Sequence, residues 1–330
     1  TYVRTVCERY RGVIDAFDVW NEPWIHAWWG VGYDHDKGGR AGYITSEEPQ
    51  KDFVRLMQVA RDTARSVIPD ASVFGFNTTT GGTTSETNFS GYDWTKGVLE
   101  AGGMAHCDGI AYHAYTGGGV GYPGDTVEKG LATAVGPILE RHGSVGKPIW
   151  MTEGSPLIHR MGNGLYRHTV PESRVEDVWD DADRIARYLV SMLANGVSRI
   201  FLYSMHAQGD FCTAPKQWNV FTTDEGYLHP SGVAHAHCAW LLEDTRFVER
   251  FDLHGKALHL YLFEGDGRAV VAVSPGPGAV PHVLPSAPGV AFTDVFGNEL
   301  DEVPKAGMLC YAMAHGPDAA SRLKSMFMPR

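Results

Sequence analysis

The sequence predicts an α/β protein built on a parallel sheet and followed by a small antiparallel β domain. Three observations carry that prediction. Apolar strand-like runs alternate with amphipathic helical stretches up to about residue 244. Beyond Thr245 the alternation gives way to short strands separated by Gly, Pro and Asp turns. Finally, each of the five strand-like runs in the first part ends on polar, chemically capable residues, all at its C-terminal end.

The elements follow in order. Val3 to Tyr10 is helix-like and feeds the first strand, Val13 to Trp20. Asp52 to Ile68 places Phe53, Leu56, Met57 and Ala60 on one helical face. Strand Ser72 to Asn77 leads through a Gly/Thr/Ser loop to a short helix from about Asp93. Strand Gly109 to Tyr115, helix Thr126 to His142, strand Pro148 to Glu153 and helix Asp180 to Asn195 repeat the unit. Strand Arg199 to Ser204 and helix Ser231 to Glu243 close the series. The antiparallel part is read as strands Phe247 to Phe251, Leu258 to Phe263, Ala269 to Val273, Ala291 to Val295 and Leu309 to Met313. The expected domains are therefore residues 1–244 and 245–330. Taken alone, five βα units leave two architectures open, an open sheet or part of a barrel, since a closed barrel needs about eight.

Composition limits the partners. The 330 residues are 43% hydrophobic and 20% charged, as in ordinary globular domains. A formal net charge of −11 without a Lys/Arg cluster argues against nucleic acid or an anionic membrane as partner. No apolar run reaches the roughly 18 residues of a membrane-spanning helix. Cys7, Cys107, Cys212, Cys238 and Cys310 are scattered without a CxxC pair and read as small buried hydrophobes. The chain opens on Thr1 with neither a basic nor an apolar leader region, so no signal peptide is expected within it, and its localisation stays open.

The chemistry concentrates at the strand tips: Asn21 and Glu22, Asn77, His113 and Tyr115, Glu153, and Ser204 with His206. In parallel βα folds that edge is where ligands bind, because the loops converge there. In Phe-Asp-Val-Trp-Asn-Glu-Pro-Trp, residues 17–24, a carboxylate sits among aromatic residues at a strand end. That is a costly place for a charge without a task. A second apolar strand, Pro148 to Glu153, also ends in a carboxylate, Glu153, followed by Gly. Two carboxyl groups facing across a cleft can cleave a glycosidic bond, one donating a proton to the leaving oxygen and the other attacking the anomeric carbon. The aromatic setting of Glu22 suits the acid, because desolvation favours a protonated carboxyl. Asn21 is a candidate for a sugar hydroxyl, and Tyr115 or His113 for a donor to Glu153.

Trp-Asn-Glu-Pro at 20–23, Tyr-His-Ala-Tyr at 112–115 and Trp-Met-Thr-Glu-Gly at 150–154, in that order, resemble the clan A glycoside hydrolases. These are retaining (β/α)8-barrel enzymes with the acid/base on strand four and the nucleophile on strand seven. The resemblance spans nearly the whole chain. It implies that Glu22 is the acid/base, Asn21 its sugar-binding neighbour, Glu153 the nucleophile and Tyr115 its hydrogen-bond partner. It also implies that the sheet is the strand four to eight portion of the barrel and that the trailing domain is a β-sandwich. The substrate would be an oligosaccharide or polysaccharide, and no cofactor or metal is implied. Two features depart from the family pattern. The supporting residues of strands two and three have no counterpart here. Strand eight, Phe-Leu-Tyr-Ser-Met-His, lacks the Trp that floors the sugar subsite, leaving that role to Tyr203, His206 or Trp218.

Of the loop tryptophans after Glu22, Trp24 and Trp28 are candidates for stacking on sugar faces, with Trp29 beside them, although indoles also serve as packing plugs. His235 and His237 are two apart on a helix and face different ways, which argues against a shared metal. Two rival functions remain. A carbohydrate-binding protein on an impaired barrel would need neither glutamate, and a metal-dependent barrel hydrolase would need His-x-His at a strand end.

Overall fold

The computed structural model describes residues 2–24, 48–79, 91–115, 129–156, 160–161, 165–166, 175–203, 228–253, 257–276, 285, 287–300 and 308–328. They divide into two compact units.

The first unit carries a five-stranded parallel sheet. Helix α1 (Tyr2–Tyr10) leads to β1 (Ala16–Asp18), and α2 (Glu48–Val67) leads to β2 (Ser72–Thr78). Helix α3 (Gly91–Glu100) and a 3-10 turn precede β3 (Gly109–Tyr115). A π-helical segment and α4 (Gly136–Arg141) precede β4 (Ile149–Ser155). The sheet runs β1-β2-β3-β4 and ends on the strand Val197–Ile200. This is the curled half of a (β/α)8-type barrel, followed along the chain by an antiparallel β domain, as the sequence predicts.

The helix faces bear out the periodicity. On α2, Phe53, Val54, Met57, Ala60, Ala64 and Val67 are buried, a spacing that lines one side of a helix. Trp94 of α3 meets Phe53 edge to face, with ring centroids 5.9 Å apart. A smaller cluster of Cys7, Ala64, Val67, Ala71 and Val73 joins α1 and α2 to the sheet. Three boundaries differ from expectation. Val13 and Ile14 do not open the first strand. Both donate their amides to Tyr10 O and so belong to the turn that ends α1. The stretch expected as one helix from Thr126 enters as a π segment, Lys129–Val135, before α4. Pro137 at the start of α4 lacks the N–H that an uninterrupted α-helix requires there. The last parallel strand ends at Ile200, short of the expected Ser204.

Among the described residues, the second unit begins at the end of β4. It includes the hairpin β5 (Arg160–Met161) and β6 (Leu165–Tyr166) and the helix α5 (Val175–Ala194). With β7 (Val197–Ile200) assigned to the first unit, the second resumes with α6 (Pro230–Leu242). Its antiparallel sheet comprises β8 (Thr245–Leu253), β9 (Leu258–Gly265), β10 (Arg268–Pro275), β11 (Val290–Thr293) and β12 (Cys310–His315), in the order β11-β12-β10-β9-β8. A C-terminal helix, α7 (Ala319–Phe327), is absent from the sequence reading. It seats Ala319, Leu323 and Phe327 in the core formed with Leu260, Leu262, Val271 and Ala312. Arg187 of α5 pairs with Asp183 and hydrogen-bonds Ser274 Oγ and Pro275 O, while Asp183 accepts the Leu309 N–H. This buried pair ties the helix to the antiparallel sheet.

Cys7, Cys107, Cys238 and Cys310 are buried free thiols. Burial pushes Cys107, Cys238 and Cys310 up to about 12, which suppresses the reactive thiolate. Cys212 lies outside the described residues.

Candidate active site

Glu22 lies just beyond the tip of β1, with φ at 41°. A non-glycine residue in this left-handed region is strained and needs fixed surroundings. Those surroundings come from the neighbouring strands. The Glu22 N–H donates to Asn77 Oδ1 at 3.1 Å, and Asn77 Nδ2 donates to Asp18 Oδ1 at 2.7 Å. The Glu22 carboxylate shares a 3.0 Å hydrogen bond between its Oε1 and His113 Nδ1. His113 is itself buried, and Trp24 packs edge-on to its ring with centroids 5.8 Å apart.

Asn77 reaches its place through an irregularity. The β2–β3 register shifts between Gly75 and Thr78, and Phe76 and Asn77 both take positive φ, 76° and 46°. A bulge of this kind re-aims side chains at a strand end. Gly75 faces α2, where a Cβ would meet Met57. Two residues later Asn77 turns toward Asp18 and Glu22.

Glu153 stands near the end of β4. The Tyr115 hydroxyl donates to its Oε1 at 2.6 Å, the short length of a charge-assisted hydrogen bond. Glu22, His113 and Glu153 each turn one ligand-type atom inward, and these three atoms lie within 4.8 Å of one another. Among the described residues this is the one such cluster, and two carboxylates with an imidazole have the composition that can also hold a divalent cation.

Asp18 has a divided environment. Desolvation raises its carboxyl to about 6, opposed by the nearby His113 and by hydrogen bonding from Asn77. Yet the residue is exposed along the outer edge of the sheet, and the water that reaches it there weakens the rise. Thr152 of β4 is close enough to contribute to lowering it, although its hydroxyl makes no hydrogen bond of good geometry.

The structure thus brings together Glu22, Glu153, His113 and Tyr115 from three strands. His113 meets Glu22, whereas the sequence reading placed either His113 or Tyr115 on Glu153. Asn21 is exposed beside Glu22. Trp24 is buried and packs against His113. Tyr203 is partly exposed in the second unit. Trp28, Trp29, His206 and Trp218 lie outside the described residues. His235 and His237 of α6 gather no other metal-type ligands among the described residues, and His237 Nε2 instead pairs with Thr293 Oγ1 at 3.0 Å. The Asp18–Asn77–Glu22 chain is absent from the sequence reading. The one signal for it was Asn77 at a strand tip, which did not reveal the bulge that points it at Glu22.

No family model and no curated protein sequence matches the chain. Solved structures do. A family 39 glycoside hydrolase from Bacteroides cellulosilyticus superposes with a TM-score of 0.62 at 16% identity, over 95% of this chain and 60% of that one. A GH30 endoxylanase from Clostridium papyrosolvens gives 0.55 at 12% identity, over 96% and 71% of the two chains. A conserved exported protein from Bacteroides fragilis gives 0.56 at 10% identity, over 95% and 69%. The chain therefore spans about three fifths of the length of the family 39 enzyme. At these identities the likeness is one of fold, which the chain shares with the two glycoside hydrolases.

Proposed function

We propose that the chain carries the catalytic pair of a retaining β-glycoside hydrolase, with Glu22 as acid/base and Glu153 as nucleophile. The observation that supports this most is the proximity of the two glutamates, whose facing oxygens lie within 4.8 Å. Retaining enzymes hold the two carboxyl groups about 5–5.5 Å apart, whereas inverting ones leave roughly 6.5–9.5 Å for a water between them.

The residues then divide the work. The Tyr115 hydroxyl orients the Glu153 carboxyl, which acts as the nucleophile. In the first step Glu153 attacks the anomeric carbon as the bond to the leaving oxygen breaks, and Glu22 gives that oxygen its proton. In the second step Glu22 takes a proton from water, whose oxygen displaces Glu153 and restores the configuration. His113 fixes the Glu22 carboxyl in direction while both steps use it. The substrate class is an oligosaccharide or polysaccharide with β linkages, and no cofactor takes part in these steps.

Hydrolysis of a panel of aryl β-glycosides tests the assignment. Glu153→Gln should abolish turnover of an activated dinitrophenyl substrate. Glu22→Ala should retain the first step for that leaving group, stall afterwards, and recover turnover with azide. If Glu22→Ala lost nothing, the acid would have to be sought elsewhere. Sugar binding without any turnover by the unaltered chain would favour a carbohydrate-binding protein instead.

A further inference from the structure

We propose that Asp18 and Asn77 are positioning residues for Glu22, anchoring its backbone N–H and so setting the direction in which its carboxyl leaves the strand tip. This rests on the reading of Glu22 as acid/base.

The side-chain amide of Asn77 lies between Asp18 and the main chain of Glu22. Its two ends are chemically different, and rotating it by half a turn would present an N–H₂ to the Glu22 N–H, donor against donor. Asp18 prevents this: its carboxylate only accepts, so it claims Asn77 Nδ2 at 2.7 Å and leaves Oδ1 facing the Glu22 amide at 3.1 Å. Asn77 is 1% exposed, so water cannot readily replace either partner. The bulge with Phe76 and Asn77 at positive φ is what brings this buried amide under the tip of β1. Glu22 itself holds φ at 41°, a conformation that persists only where neighbours over-determine it. The side-chain bond to His113 and the main-chain bond to Asn77 therefore grip Glu22 at both ends. Losing the second leaves the carboxyl free to leave the line between His113 and the leaving oxygen.

Leaving-group dependence separates this role from a general structural one. A good leaving group departs without a proton, so a misplaced acid slows only the poor one. The measurement is the first-step rate for the dinitrophenyl and phenyl β-glycosides of a sugar that the chain turns over, in Asn77→Ala, Asp18→Leu, Asp18→Asn and Glu22→Ala. Asn77→Ala and Asp18→Leu should slow the phenyl substrate roughly 10- to 100-fold and the dinitrophenyl substrate by less than about threefold, a partial loss of general-acid catalysis. Asp18→Asn, which keeps an acceptor oxygen, should stay within about threefold on both. If Glu22→Ala shows the leaving-group split and Asn77→Ala does not, the positioning role is overturned while the acid assignment stands. If Glu22→Ala shows no split, the acid assignment fails and this inference with it. A second readout needs no turnover. The carboxyl carbon-13 resonance of Glu22, assigned by its disappearance in Glu22→Gln, should move in Asn77→Ala and Asp18→Leu and hold in Asp18→Asn. An unmoved resonance in Asn77→Ala would sink the proposal.

Discussion

A single hydroxyl shows how much one residue contributes to the proposed chemistry. Tyr115 donates to Glu153 at 2.6 Å. A hydrogen bond to a charged group contributes about 1.5–3 kcal/mol, equivalent to roughly 10- to 100-fold in rate if it is felt in the transition state. Tyr115→Phe should therefore lower kcat/KM by about that factor while leaving the unfolding midpoint nearly unchanged, and an unaltered kcat/KM would remove Tyr115 from the site. At this scale Glu22, Glu153 and Tyr115 were legible in the sequence, because short apolar runs ending in Asn-Glu-Pro, Thr-Glu-Gly and His-Ala-Tyr place chemistry at strand ends. The pairing of His113 with Glu22 was not legible, since alternation along a strand fixes a face and not a partner. Asp18 was equally hidden, because its task depends on Asn77, and Asn77 depends on a bulge that hydrophobic patterning does not encode.

At the scale of the element, glycine decides how closely the strands of the half-barrel support one another. Phe74 of β2 pairs in register with Gly109 of β3, and its ring stacks on Trp150 of β4 with centroids 3.8 Å apart. A Cβ on Gly109 would sit 2.2 Å from Phe74 Cε1, and the stacked indole limits where the ring can move. Gly109→Ala should thus destabilise the fold by about 1–3 kcal/mol, visible as a lower denaturation midpoint in urea. Gly75→Ala is the instructive control: its Cβ would meet Met57 Cε at 2.3 Å, but that is the far end of a flexible side chain, and the loss should be smaller. Equal losses would show that ring stacking does not restrain Phe74. Elements of strong periodicity were read closely: β3 has its expected bounds, and α2 ends one residue before the expected Ile68 but begins at Glu48 and not at Asp52. Those decided by an interruption were not: the π segment before Pro137 and the short first strand depend on backbone hydrogen bonding that side-chain patterns leave unspecified.

Across the whole molecule, burial of titratable groups sets the response to acid. Desolvation holds His235 and His237 below the ordinary histidine value of 6.5, with Asp294 partly opposing it at His237. A histidine depressed in the folded state stabilises only while neutral. Below 6.5 the unfolded chain takes up the proton first, and stability falls. Desolvation acts to raise Asp108, yet the Val73 N–H and the guanidinium groups of Arg61 and Arg65 outweigh it and hold the carboxyl below 3.8. Asp252 is likewise lowered, by Arg250 and His259 against desolvation. Their contribution is complete above that value and disappears as pH falls through the folded one. Asp18 runs the other way and gains on acidification, weakly, because it is exposed. The unfolding temperature should therefore begin to drop as pH falls from about 7 toward 5, and drop further below about 4. His237→Gln, which can keep the bond to Thr293, should flatten the first decline, and an unchanged slope would exclude His237 as its source.

The order of the parallel sheet has a consequence for how the candidate site comes to be assembled. The chain of contacts from Asp18 through Asn77, Glu22 and His113 to Glu153 draws on β1, β2, β3 and β4, and its individual bonds join residues as much as 91 positions apart. Contacts that distant close late, because loop entropy has to be overcome before they form. Helices α2 and α3 are local and can form early, whereas the two glutamates meet only once adjacent parallel strands have found their register. The proposed catalytic pair is then among the last features the polypeptide assembles as it folds, and among the first it surrenders when the sheet loosens.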